Sequence, residues 1–134
     1  MKQITVAAAI ILNEQNQLLL VRKNATEYFM QVGGKLEPNE LPEQTMLREI
    51  HEEIGAKANL KSFVGRFETL AANEKDHQLI SYVYQVELNE SPRIDAEIAE
   101  MKWIDLDDRE TLIAPLTKEV VIPWCQQYLK SGHA

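Results

Sequence analysis

At 134 residues with a formal charge of −7, the chain suits one domain spanning 1–134, long enough to bury a core without staples. The acidic balance argues against a nucleic-acid polymer held by charge alone, and no apolar run approaches the ~20 residues of a membrane span. The 45% hydrophobic and 26% charged composition is that of an ordinary globular protein, and the lone Cys125 excludes an internal disulfide and fits a reducing, cytoplasmic setting.

Taken in chain order, residues 3–12, QITVAAAIIL, and 17–22, QLLLVR, are apolar and partly β-branched. They predict a hairpin about the Asn-rich turn at 13–16, with at least one strand buried on both sides. That turn and the second apolar run favour a core strand over a leader peptide for the opening residues. A loop follows from Lys23 to Glu27. The short apolar segment from Tyr28 to Val32 then runs into Gly33 and Gly34, where the backbone can approach a ligand closely. Glu37-Pro38-Asn39-Glu40 has turn chemistry, with Pro38 at the second position.

A helix is expected from Pro42 to Ile54, with Pro42 in its first turn, Glu43 at its positive end and Gly55 as its stop. Its capping position falls on Leu41, which has no side-chain acceptor. Residues 57–69 and 78–88 are strand-like and flank the polar loop from Ala71 to His77; residues 100–104 add a short strand. Asp105 to Thr111 is expected to be a turn and a short helix. From Thr117 a helical apolar pattern resumes, which Pro123 must kink or interrupt, and Cys125 lies within it as a packing residue. Strands and helices interleave, so a mixed β-sheet with helices on both faces is the economical α/β arrangement.

The helix over 42–54 carries the chemistry. At roughly 100° per residue, Glu49, Glu52 and Glu53 share one narrow face, while Met46, Leu47, Ile50 and Ile54 form a neighbouring apolar face. Crowded carboxylates repel, which is tolerable in water or useful around a cation. The surrounding residues, Gly34 to Ala56, fit G-x5-E-x7-R-E-U-x-E-E-x-G-U, where U is a bulky aliphatic, at every fixed position but the last. The seven fixed Gly, Glu and Arg positions would meet by chance in roughly one window in 10⁸ to 10⁹. This stretch resembles the Nudix box.

The resemblance to the Nudix hydrolase superfamily implies an α/β/α sandwich with a mixed sheet. It also implies a Mg²⁺-dependent enzyme, with Mn²⁺ as a possible substitute, that cleaves the pyrophosphate bond of a small nucleoside di- or triphosphate derivative. Glu49, Glu52 and Glu53, with the carbonyl of Gly33, would be the metal ligands; Arg48 would order the carboxylates. The proton acceptor would be Glu53 or a loop glutamate, for which Glu97 and Glu100 are the candidates, with Glu74 behind them. Arg22 and Lys23, at a strand end, are candidates for the phosphates. Phe29, Phe67, Tyr82 and Trp103 are candidates for a base, with core packing as the default for all four.

Two departures stand out: Ala56 replaces the final aliphatic, and Val32 replaces the proline many relatives carry before the glycines. The run VAAAIILNEQNQLLLVRK looks close to the MutT branch, in which a C-terminal asparagine reads the purine. The matching stretch, Ala114 to Thr117, has none, which argues against an identical specificity. A nucleotide-sensing module without catalysis is the competing function. Isomerisation of a prenyl diphosphate is disfavoured, because Cys125 is remote in sequence from the box. Homodimers are common among relatives.

Overall fold

The computed structural model describes residues 1–95 and 97–132. The strands are β1 (Lys2–Ile11), β2 (Leu18–Lys23), β3 (Val32–Lys35), β4 (Ala58–Leu70), β5 (His77–Leu88) and β6 (Ile98–Ile104). The helices are α1 (Pro42–Ile54) and α2 (Ile122–Lys130).

β1 is a central strand, antiparallel to β3 on one edge and parallel to β5 on the other, in a mixed sheet ordered β3-β1-β5-β4. The expected hairpin between the first two apolar runs therefore does not form as a ladder. With both edges of β1 taken, only the bridge Leu12↔Leu18 joins the runs, and β2 pairs with β6 in a separate two-stranded sheet. The turn between them is held by the Asn13 side-chain oxygen, which accepts the N–H groups of Gln15 and Gln17.

The period of two along β1 divides the core. Ala7, Ala9 and Ile11 pack with Met46, Ile50 and Ile54 of α1, whereas Ala8 and Ile10 face the cluster containing Val121 and Cys125. Helices thus cover both faces of the sheet, as expected. Leu47 was expected on the apolar face, yet it remains 38% exposed, and Glu53 is buried instead. The core side of α1 is therefore rotated toward a carboxylate, which needs partners.

α1 begins and ends where its sequence predicts. Leu41 supplies no side-chain cap, and the carboxamide of Gln44 accepts the Leu41 N–H in compensation. Gly55 closes the helix in the left-handed region, at φ 60°, and its N–H returns to the carbonyl of His51.

The short helix expected within Asp105 to Thr111 is absent. Asp108 instead accepts the N–H groups of Glu110 and Thr111 and the Thr111 hydroxyl, offering the backbone a local alternative to helix bonds. Pro123 does not break its helix. The preceding residues, Thr117–Val121, form a widened turn in which the Ile122 N–H donates to the Thr117 carbonyl five residues back. That turn absorbs the missing proline donor before α2 proceeds.

No helix among the described residues is long and apolar enough to cross a membrane. Cys125 is fully buried, and burial pushes its thiol up to about 12. The native protein is accordingly expected to release no chromophore from a disulfide reagent at pH 8, and to react fully once unfolded; prompt native labelling would contradict its placement.

Candidate active site

Arg48 is the hub of the acidic cluster. Its Nε and Nη2 donate to the two carboxylate oxygens of Glu40, at 2.8 and 2.9 Å. Its Nη1 donates to Glu49 at 2.7 Å and to Glu52 at 3.3 Å. The bidentate partner is thus Glu40, just before α1, rather than a member of the i, i+3, i+4 set. Glu40 also accepts the hydroxyl of Thr45 at 2.6 Å and the N–H of Glu37. Arg48, then Thr45, hold the Glu40 carboxyl down at about 2. Arg48 is thereby fixed from below while it orders carboxylates above.

The three carboxylates of the shared face are in unlike surroundings. The side chain of Glu52 is 51% exposed, that of Glu49 is 15% exposed and that of Glu53 is 5% exposed. Glu53 accepts the N–H of Gly33 at 3.2 Å and lies 3.4 Å from Nζ of Lys23. Burial drives its carboxyl up to about 7, with Lys23 and the Gly33 N–H pulling the other way. Burial also raises the Glu49 carboxyl, against the pull of Arg48.

Both glycines are close-approach positions. A Cβ on Gly34 would come within 2.5 Å of the Glu49 carboxyl carbon. One on Gly33 would come within 2.1 Å of the Ala7 carbonyl oxygen. The missing side chains are what let β3 lie against β1 and under the carboxylates.

Among the described residues, no three acidic, histidine or cysteine side chains are gathered to hold an ion as they stand, since Arg48 engages Glu49 and Glu52. The donor set nonetheless fits a hard divalent cation. It is all carboxylate oxygen, it comes from one rigid helix, and Glu53 is a buried carboxyl that the protein's own cations leave above its ordinary value.

Two recesses meet here. An apolar cavity of about 340 Å³ is bordered by Ile4, Val6, Leu79 and Leu116, and a more open polar cleft by Arg48, Glu49 and Glu97. Lys23, Gly34, Lys35 and Glu74 border both. Of the site residues singled out from sequence, Lys23, Gly33, Arg48, Glu49, Glu74 and Glu97 border one recess or both, whereas Glu52 and Glu53 border neither and reach the site through Arg48 and through Gly33 and Lys23. Glu74 is ion-paired to Lys35 at 3.3 Å across their boundary.

Arg22 and Glu100 border neither recess. They are register partners on β2 and β6 and bind each other, with Arg22 also donating to the carbonyl of Thr26. Phe29, Phe67, Tyr82 and Trp103 are likewise absent from both linings and lie against the two cores. Sequence reasoning missed Gln31, and it named Thr117 only as a helix start and as the end of the stretch matching the purine reader; both are buried and border the cavity. The available signal was a glutamine inside an otherwise apolar run ahead of two glycines.

Comparison with known proteins agrees with this arrangement. The model of the NUDIX domain matches residues 1–125. The chain is 31% identical over 110 residues to the 8-oxo-dGTP diphosphatase of Escherichia coli, covering 79% of this chain and 83% of that protein. It is 29% identical over 98 residues to a putative 8-oxo-dGTP diphosphatase of Bacillus subtilis, covering 73% of this chain and 64% of that protein. The crystal structure of a MutT NUDIX hydrolase from Burkholderia pseudomallei superposes with a TM-score of 0.77 at 20% identity, over 89% of this chain and 95% of that one. Nudix hydrolases generally work with a divalent metal ion. With the box on α1 and the match running through both sheets, the chain belongs to the NUDIX family and is a MutT-like Nudix hydrolase.

Proposed function

We propose that the chain hydrolyses the pyrophosphate bond of a nucleoside triphosphate or a related nucleoside diphosphate derivative, with Mg²⁺ as its working ion and Mn²⁺ able to replace it. The observation that carries this reading is the shared border of the two recesses. A charged phosphoanhydride and an apolar base need adjoining polar and apolar surroundings, and Lys23, Gly34, Lys35 and Glu74 join the two. The relatives named as 8-oxo-dGTP diphosphatases support a triphosphate.

Glu49, Glu52 and Glu53, with the Gly33 carbonyl, would hold the ion. Once bound, it would supply polarisation of phosphoryl oxygens and a lowered pKa for attacking water. Arg48, anchored on Glu40, limits the freedom of Glu49 and Glu52. Lys23 stands where the recesses meet and would bind an anhydride oxygen. Glu97 borders the polar cleft and is the better candidate to take the proton of the water, with Glu53 the alternative; Glu100 is committed to Arg22.

The test is turnover of a panel of nucleoside triphosphates, dinucleotides, ADP-ribose and nucleotide-sugars with Mg²⁺, with products identified. Glu52→Gln serves as the paired variant. A monophosphate and pyrophosphate from a triphosphate are expected, with activity sharply reduced by the substitution. Activity unchanged in Glu52→Gln would sink the ligand assignment. Nucleotide binding without any turnover would favour a sensor.

A companion substitution isolates positioning. Gly34→Ala is expected to displace the mobile end of Glu49 and lower kcat/KM about 10- to 100-fold, while the melting temperature stays near that of the parent. A steady-state assay with a parallel melt checks both halves.

A further inference from the structure

The apolar cavity holds two deeply buried polar side chains, Gln31 and Thr117, which are 5% and 0% exposed. Gln31 Nε2 donates to the carbonyl of Ala9 at 3.2 Å, and the Thr117 hydroxyl donates to Gln31 Oε1 at 2.7 Å. A main-chain carbonyl can only accept, so the amide nitrogen must face β1 and the amide oxygen must face Thr117. Thr117 opens the widened turn, where its own carbonyl accepts the N–H of Ile122. Turned over, the amide would set its oxygen against the Ala9 carbonyl, acceptor against acceptor, so that carbonyl fixes its sense, while the Thr117 hydroxyl anchors the oxygen.

A primary amide has two N–H donors and two oxygen lone pairs. These bonds use one of each, leaving one donor and one acceptor in a fixed order on a side chain that borders the cavity. Adenine and cytosine present an exocyclic amino donor beside a ring-nitrogen acceptor. Hypoxanthine and uracil present the reverse, an exocyclic oxygen acceptor beside a ring N–H donor. A freely turning amide would suit either class. A fixed one satisfies one class and leaves buried polar groups unpaired with the other.

We propose that Gln31 is the specificity-determining residue of the nucleoside cavity, sorting amino-bearing from oxo-bearing bases, with the Ala9 carbonyl setting the sense of its amide and Thr117 as the positioning residue that anchors the amide oxygen. This rests on the nucleoside triphosphate reading above. A merely structural tie of the segment before β3 to β1 and to the widened turn would use the same two bonds, so the readout must be a ratio between substrates and not activity alone.

The test is kcat/KM for two matched pairs, ATP with inosine triphosphate and CTP with UTP, using the full-length protein and Mg²⁺. The parent is expected to favour one member of each pair, of the same class in both, by at least about tenfold. Gln31→Met should bring both ratios to within about threefold of unity. Thr117→Val should lower them and Thr117→Ser should retain them, with melting curves confirming folded protein; this second pair carries the test if Gln31→Met does not fold. Parent ratios near unity, or a variant that slows both members equally, would overturn the proposal while leaving triphosphate hydrolysis intact. Turnover of a nucleotide-sugar or ADP-ribose with no turnover of the four triphosphates would overturn both.

Discussion

Glu53→Gln is expected to abolish most hydrolysis, lowering kcat by about 10²- to 10⁴-fold, while leaving the fold intact or more stable. The side chains are nearly isosteric, and the amide oxygen of glutamine can still accept the Gly33 N–H that Glu53 accepts. What the substitution removes is the charge and basicity of the one carboxylate of the three that is buried beside Lys23. Truncation to alanine would confound that loss with a cavity; glutamine does not.

The stability half of this expectation has a definite sign. Burial raises the Glu53 carboxyl to about 7, above the roughly 4.3 of an unstructured glutamate. Between those values the folded protein holds a proton that the unfolded chain has released, so stability falls as pH rises through that window and is lowest above it. In EDTA at pH 8, glutamine relieves that penalty by up to about 4 kcal/mol, and the advantage disappears near pH 4. A variant that is less stable than the parent at pH 8 in EDTA, or one with kcat within threefold of it, would remove Glu53 from the centre of the site.

The part of this site legible in the sequence was the part encoded within one helix. The i, i+3, i+4 spacing and the Gly55 stop are local, and α1 spans Pro42–Ile54 as its residues dictate. What the spacing could not encode is that the three glutamates have unequal burial, because that depends on where β3 lies. The same limit explains Arg22. It is a plausible phosphate ligand in one dimension, but strand register sets it opposite Glu100, and neither residue is then spare.

The first two apolar runs illustrate a related limit. Their composition specified strands, yet which edges of β1 were occupied was decided by β3 and β5, the latter some 70 residues away. Gln31 was overlooked because burial of a polar side chain is invisible until its partners, Ala9 and Thr117, are in place. Aromatic rings drew attention by type, but the cavity is bordered by aliphatic side chains such as Ile4, Val6 and Leu79.

Gly33→Ala is the substitution expected to cost the most stability, about 3 kcal/mol or more, with a fall in melting temperature of about 10 °C or more. The added Cβ would meet Ala7 O at 2.1 Å, Ala8 Cα at 2.9 Å and Ala7 C at 3.1 Å. All three are main-chain atoms of the central strand, so no rotamer change relieves the overlap, and β3 must separate from β1. That separation strikes the ladder from Val6↔Lys35 to Ala9↔Val32 and also withdraws the Gly33 N–H from Glu53. Activity is therefore lost together with stability. At the adjacent Gly34 the obstacle is the far end of a side chain, and there activity should fall alone. Two neighbouring glycines with opposite stability outcomes under the same one-methyl change would confirm that β3 serves both as a sheet edge and as the floor of the carboxylate cluster. Equal melting temperatures for the two alanine variants would refute the close approach of Gly33 to β1.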